Sequence, residues 1–263
     1  MTVLERPILL VAEPRGSLCW LVAAFPLLVG AAGALGALLG WVIPLVGVLS
    51  YLVLAGLVGR YHRSRRFGAA NLVTLIRGVG MSLVAGLAAR ALLGVLDTRG
   101  VAVIVGIGTA CVCLDGVDGK LARVRGEVSV FGARFDMEID AATILVLTIA
   151  VAALGFTSWW VLAIGAMRYL YVAASWAAPA LRIPVRVRLS GRIVAVVQAV
   201  AMLACLLLGV LAPRVHWLPS LVAAAALAAL SWSFARDIAW QVRTARGTAA
   251  GVLAEPAPVL VNS

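Results

Sequence analysis

The sequence predicts an all-α integral membrane protein with eight spans, a leading two-helix hairpin followed by a six-helix core, and three observations carry that prediction. Of 263 residues, 63% are apolar and only 13% charged, with a mean hydropathy of +1.08. A soluble domain devotes roughly a quarter of its residues to Asp, Glu, Lys and Arg. Apolar runs of membrane-crossing length recur from one end of the chain to the other. These runs lack period-two alternation, so helices rather than barrel strands must satisfy their backbone groups in lipid.

The runs fall at 17–39, 41–59, 71–96, 100–114, 141–156, 159–180, 191–212 and 217–235, each bounded by charge or by Pro and Gly. At 1.5 Å per residue, about 20 residues cross a hydrocarbon layer of about 30 Å. The run at 100–114 is the shortest and needs its polar extension to do so. The basic stretch RYHRSRRFGA, beginning at Arg60, separates the first two runs from the other six. The expected organisation is an N-terminal segment with the accessory hairpin (1–67), a six-helix membrane domain (68–246) and a flexible tail (247–263), whose Pro, Ala and Val show no helical period. Glu5 and Arg6 precede the first run without a basic region leading to a small-residue cleavage site, so that run is expected to be a retained span. Cys19, Cys111, Cys113 and Cys205 lie in apolar segments with no CxxC pair, and are expected to act as small core hydrophobes.

The formal net charge is +11, from 22 Lys plus Arg against 11 Asp plus Glu. These cations do not form one basic face, as nucleic-acid binding would require, but short clusters between apolar runs. Arg60, Arg63, Arg65 and Arg66 form one cluster, Lys120, Arg123 and Arg125 the next, then Arg182, Arg186, Arg188 and Arg192, and finally Arg236, Arg243 and Arg246. They follow every second span, which places both termini and these loops in the cytoplasm.

Six of the eleven acidic residues crowd into residues 115–140. Charge at or near membrane depth is costly and marks a functional site by default. On a helix, Asp115, Asp118, Gly119, Ala122 and Arg123 share one face. Gly132, Asp136 and Asp140 form a second row at i, i+4 and i+8, from which Glu138 points away. Four carboxylates facing one another repel unless a cation lies among them. The ligands are all hard oxygens, and the two histidines, His62 and His216, are remote in sequence. That donor set favours Mg²⁺ or Mn²⁺ over zinc.

At these residues the chain resembles the CDP-alcohol phosphotransferase family, whose signature reads D-x2-D-G-x2-A-R-x8-G-x3-D-x3-D. Asp115, Asp118, Gly119, Ala122, Arg123, Gly132, Asp136 and Asp140 match every fixed position with every gap intact. A looser pattern, Asn-x2-Thr-x2-Arg, opens the first core helix of such proteins and is met by Asn71, Thr74 and Arg77; Asn71 would also serve as an N-cap. Gly191, Arg192 and Gln198 resemble the glycerol-phosphate-using branch, although Val194 and Ala195 stand where that branch is expected to carry Lys-Thr.

The resemblance implies transfer of a phosphatidyl-like group from a CDP-linked lipid to an alcohol with release of CMP, by a homodimer whose active site faces the cytoplasm. It implies two divalent ions, Mg²⁺ or Mn²⁺, on Asp115, Asp118, Asp136 and Asp140, with Asp140 also taking the acceptor's proton. Gly119, Ala122, Arg123, Gly132, Asn71, Thr74 and Arg77 become substrate contacts. Arg186, Arg188 and Arg192 are candidates for an acceptor phosphate, with anionic lipid head groups as the alternative target. A membrane prenyltransferase would account for Asp136 and Asp140 alone and leave Gly119, Ala122, Arg123 and Gly132 unexplained. A transporter with an intramembrane acidic site would release no CMP.

Overall fold

The computed structural model describes residues 17–61, 67–125, 129–183 and 189–254, without the side chains of 17, 61, 118–123, 125, 182, 189–192 and 246–254. Among the described residues there is no strand. Eight α-helices follow one another: α1 (Ser17–Leu39), α2 (Val42–Tyr61), α3 (Ala69–Leu92), α4 (Thr98–Arg125), α5 (Val130–Ala153), α6 (Leu162–Ala177), α7 (Leu189–Leu211) and α8 (Leu218–Ala254). Each covers most of one of the apolar runs. Among the described residues, six of them, α1 to α4 with α7 and α8, are long and apolar enough to cross a membrane. The other two fall short for different reasons. α5 spends its first turns on Arg134, Asp136, Glu138 and Asp140, and α6 has only 16 residues. The protein is therefore a multi-pass membrane protein. α8 continues past Gly247 to Ala254, because Ala-rich sequence holds a helix even where no amphipathic period marks it.

The chain divides into two compact units, Met1–Val146 and Leu147–Ser263. In the first, α3 is the central helix: 72% of its apolar window is buried, against 22% for α1 and 28% for α2 and α4. Small residues make that possible, since lipid-embedded helices approach closely only where side chains are short. A Cβ on Gly86 would lie 2.6 Å from the Ile43 carbonyl oxygen of α2, and one on Gly80 would lie 2.7 Å from Cys111 Sγ of α4. The leading hairpin thus packs directly on α3. Tyr51 locks the hairpin by donating its hydroxyl to the Leu21 carbonyl at 2.7 Å. Between α1 and α2, Gly40 turns with φ +115, a conformation that L side chains rarely adopt, and Arg90 of α3 packs over it. Leu28, Tyr51, Leu54, Leu75, Phe135 and Ile139 fill the space between these helices.

Caps fix where the site-bearing helices begin. Asp97 Oδ1 accepts the Gly100 N–H at 2.9 Å ahead of α4, and Ser129 Oγ accepts the Gly132 N–H at 3.0 Å ahead of α5. In the second unit α7 and α8 lie along one another, joined by Gln198 Nε2 donating to the Ala226 carbonyl at 3.0 Å. Gln241 of α8 donates to the carbonyls of Leu181 at 3.1 Å and Ile183 at 2.7 Å, and accepts the Tyr171 hydroxyl at 2.9 Å. The turn that leads into the basic segment is thereby tied to α8. Of the four cysteines, Cys111 and Cys205 are buried as expected, whereas Cys19 and Cys113 face outward. An apolar helix surface turned to lipid accepts a thiol as readily as a core does.

Candidate functional site

Three helices of the first unit bring their charges to one point. α3 supplies Arg77, whose side chain is only 4% exposed; α4 supplies Asp115, and α5 supplies Asp136 and Asp140, all half-buried. The Arg77 guanidinium sits among the three carboxylates, with Nη1 at 2.6 Å from Asp136 Oδ1 and 3.1 Å from Asp115 Oδ1, and Nη2 donating to Asp140 Oδ1. One oxygen from each carboxylate lies within 4.8 Å of the others. The i, i+4 spacing on α5 stacks Asp136 over Asp140 on the inner face, while Glu138 is exposed, as the helical period requires.

α3 meets α5 along a second stretch of the same face. Asn71, Thr74 and Arg77, three residues apart, are all buried. A Cβ on Gly132 would lie 2.7 Å from Asn71 Oδ1 and 3.0 Å from Ser129 Oγ, so this glycine sets how near α5 comes to α3. Asn71 is not the N-cap of α3: Gly68 holds that position without a side-chain bond, and Asn71 lies two residues inside the helix. Thr74 donates its hydroxyl back to the Ala70 carbonyl at 3.2 Å.

Asp118 lies one turn beyond Asp115 on α4, and its side chain, with those of Ala122 and Arg123, falls outside the described residues, as does the surrounding of Gly119. Arg186 and Arg188 lie wholly outside them, and Arg192 does so beyond its backbone. Cys111 is a neighbour that sequence reasoning passed over. It stands one turn before Asp115, and its buried thiol lies 3.8 Å from the Arg77 carbonyl oxygen. The contact between Arg77 and the acids was also missed, although an ionisable residue inside an apolar run calls for an opposite charge.

Asp140 precedes the apolar run of α5. Burial pushes its carboxyl up to about 7, against the pull of Arg77 and helped by Asp136 and Asp115. A divalent cation would act in the opposite direction. The residues fit such an ion: the donors are oxygens only, they converge from two helices, and a cationic group already stands at their centre.

No curated protein and no solved structure matches the chain at a significant level. A family model described as CDP-alcohol phosphatidyltransferase does match, over residues 67–235. The matched span starts just ahead of α3, after the leading hairpin, runs into α8, and contains Arg77 and all of the clustered carboxylates. More than half of the chain follows that model, and the part that does so holds the buried charge cluster on multi-pass membrane helices: the chain belongs to the CDP-alcohol phosphatidyltransferase family, and is a membrane transferase.

Proposed function

We propose that this transferase moves a phosphatidyl group from a CDP-linked lipid such as CDP-diacylglycerol to an alcohol bearing its own phosphate, glycerol phosphate or inositol phosphate, in phospholipid synthesis. The observation that carries the proposal is the convergence of Asp115, Asp136 and Asp140 on one cationic point in a chain of this family. Mg²⁺ or Mn²⁺ held by these residues with Asp118 would supply Lewis-acid stabilisation of the charge that builds on the leaving phosphate. Asp140 takes the proton of the acceptor hydroxyl. The acceptor oxygen then bonds to the donor's proximal phosphorus as the bond to the CMP oxygen breaks, and CMP leaves with the electron pair. Arg123 donates to a phosphate oxygen in a fork geometry.

Asn71, Thr74 and Arg77 flank the donor head group, and Gly119, Ala122 and Gly132 keep the helix faces low enough for it. Arg186, Arg188 and Arg192 hold the acceptor's phosphate. The enzyme works as a homodimer with both termini and the active site on the cytoplasmic side, where the basic loops follow every second apolar run.

CMP release from CDP-diacylglycerol, assayed with glycerol phosphate, inositol phosphate and serine as acceptors, tests this. A phosphorylated acceptor is expected to be preferred. Arg188→Ala should raise the acceptor KM about tenfold to a hundredfold, the loss of one charge-assisted hydrogen bond, with little change in the donor KM. Preference for serine with both KM values unmoved would remove the acceptor assignment.

A further inference from the structure

We propose that Arg77 is an exchangeable counter-charge: it neutralises the carboxylate cluster until a divalent cation arrives, competes with that cation for Asp136 and Asp140, and on displacement turns to the donor's diphosphate. The proposal rests on the metal-dependent transfer proposed above. Its basis is that one guanidinium, almost fully buried on α3, contacts Asp115, Asp136 and Asp140 together. These are the same oxygens that converge closely enough to ligate one ion.

While the guanidinium occupies the lone pairs of those oxygens, a metal ion approaching the same atoms is repelled strongly at so short a range in a site of low dielectric. Nor can three carboxylates lie this close with neither of them present. The guanidinium therefore keeps the ligands gathered and charge-compensated, at the expense of metal affinity. Once displaced, the buried cation needs another anion, because an unpaired charge at that depth is costly. A diphosphate suits it. The planar fork that bridges Asp136 and Asp140 matches two phosphate oxygens in the same bidentate manner. Arg77 is also poorly placed to move its backbone, since Gly78 and Gly80, which follow it on α3, pack against Leu54 and Cys111, so the exchange is confined to the side chain. Metal and donor binding would then be coupled through a single residue, each making room for the other.

The consequence is a change of opposite sign at the two ligands, which a merely structural role for Arg77 would not produce. Mn²⁺ binding to the detergent-purified full chain is measured alone, and CDP binding is then measured at saturating Mn²⁺, for the wild type and for Arg77→Ala. Arg77→Ala is expected to bind Mn²⁺ on the order of tenfold more tightly and CDP on the order of tenfold more weakly, about the effect of one charge-assisted contact in each case. Arg77→Lys keeps the charge but not the fork, and is expected between the two on both measurements; it also serves if the alanine variant does not fold. Weakening of both ligands, or no change in either, would overturn the proposal while leaving the transferase assignment in place. Failure of the wild type to bind Mn²⁺ at all would instead remove the metal-dependent reading, and this inference with it.

Discussion

α2 and α3 pack against one another and are both apolar, with hydropathies of 2.3 and 1.8 over their spans, yet 28% of one window is buried and 72% of the other. Hydropathy does not separate a helix that faces lipid from one enclosed by its neighbours, because lipid and protein interior are about equally apolar. What separates them is the distribution of small and polar side chains. On α3, Gly78, Gly80 and Gly86 each abut a neighbouring helix, and Asn71, Thr74, Arg77 and Ser82 are buried. On α2, Gly56 and Gly59 have nothing near the position of a Cβ. α3 itself has two kinds of face, one toward α2 that only packs, and one toward α4 and α5 that gathers charge.

The sharpest way to break this distinction lies on the charged face. Asp140→Asn keeps the size of the side chain but can neither accept a proton nor ligate a metal well, so turnover is expected to fall by about 10²- to 10⁴-fold with the protein still folded. CMP release by the purified variant at near the wild-type rate would remove Asp140 from the chemistry. Gly132→Val comes next, since its side chain would enter the space of Asn71 Oδ1. It should lower donor binding and thermal stability together, and a variant that keeps both would show that α5 is free to stand further from α3.

The packing face should respond in stability alone. Gly86→Val places methyl groups against the Ile43 backbone, which cannot retreat as a flexible side chain could, and a loss of about 1–3 kcal/mol is expected in a detergent unfolding assay. Unchanged stability would mean that the hairpin does not rest on α3. The smallest effect belongs to α2: Gly56→Ala, with open space around it, should change stability by no more than about 0.5 kcal/mol. A large loss there would reveal a partner on that side of the helix.

Much of this was legible in the sequence because its determinants are local. Apolar runs located all eight helices, and helical spacing singled out Asp115, Asp136 and Asp140, whose oxygens lie near one another in the fold. The helix period alone separates Glu138 from its acidic neighbours. What was not legible was relational. Arg77 stands 59 residues from Asp136 and 63 from Asp140, and no local rule pairs them. The central position of α3 was hidden for the same reason, since Gly86 and Gly80 acquire meaning only against Ile43 and Cys111. Among the described residues six helices, not eight, have spanning length and composition, because the acids that make α5 chemically interesting also shorten its apolar part and α6 has only 16 residues.

The claim on which the rest depends is that the carboxylate cluster works through a divalent cation. CMP release from CDP-diacylglycerol by the purified protein, followed after exhaustive EDTA treatment and then on addition of Mg²⁺, Mn²⁺ or Zn²⁺, tests it most directly. Activity is predicted to vanish on chelation and to return with Mg²⁺ or Mn²⁺ but not with zinc, as an all-oxygen donor set requires. Undiminished CMP release after the metal has been removed would contradict it.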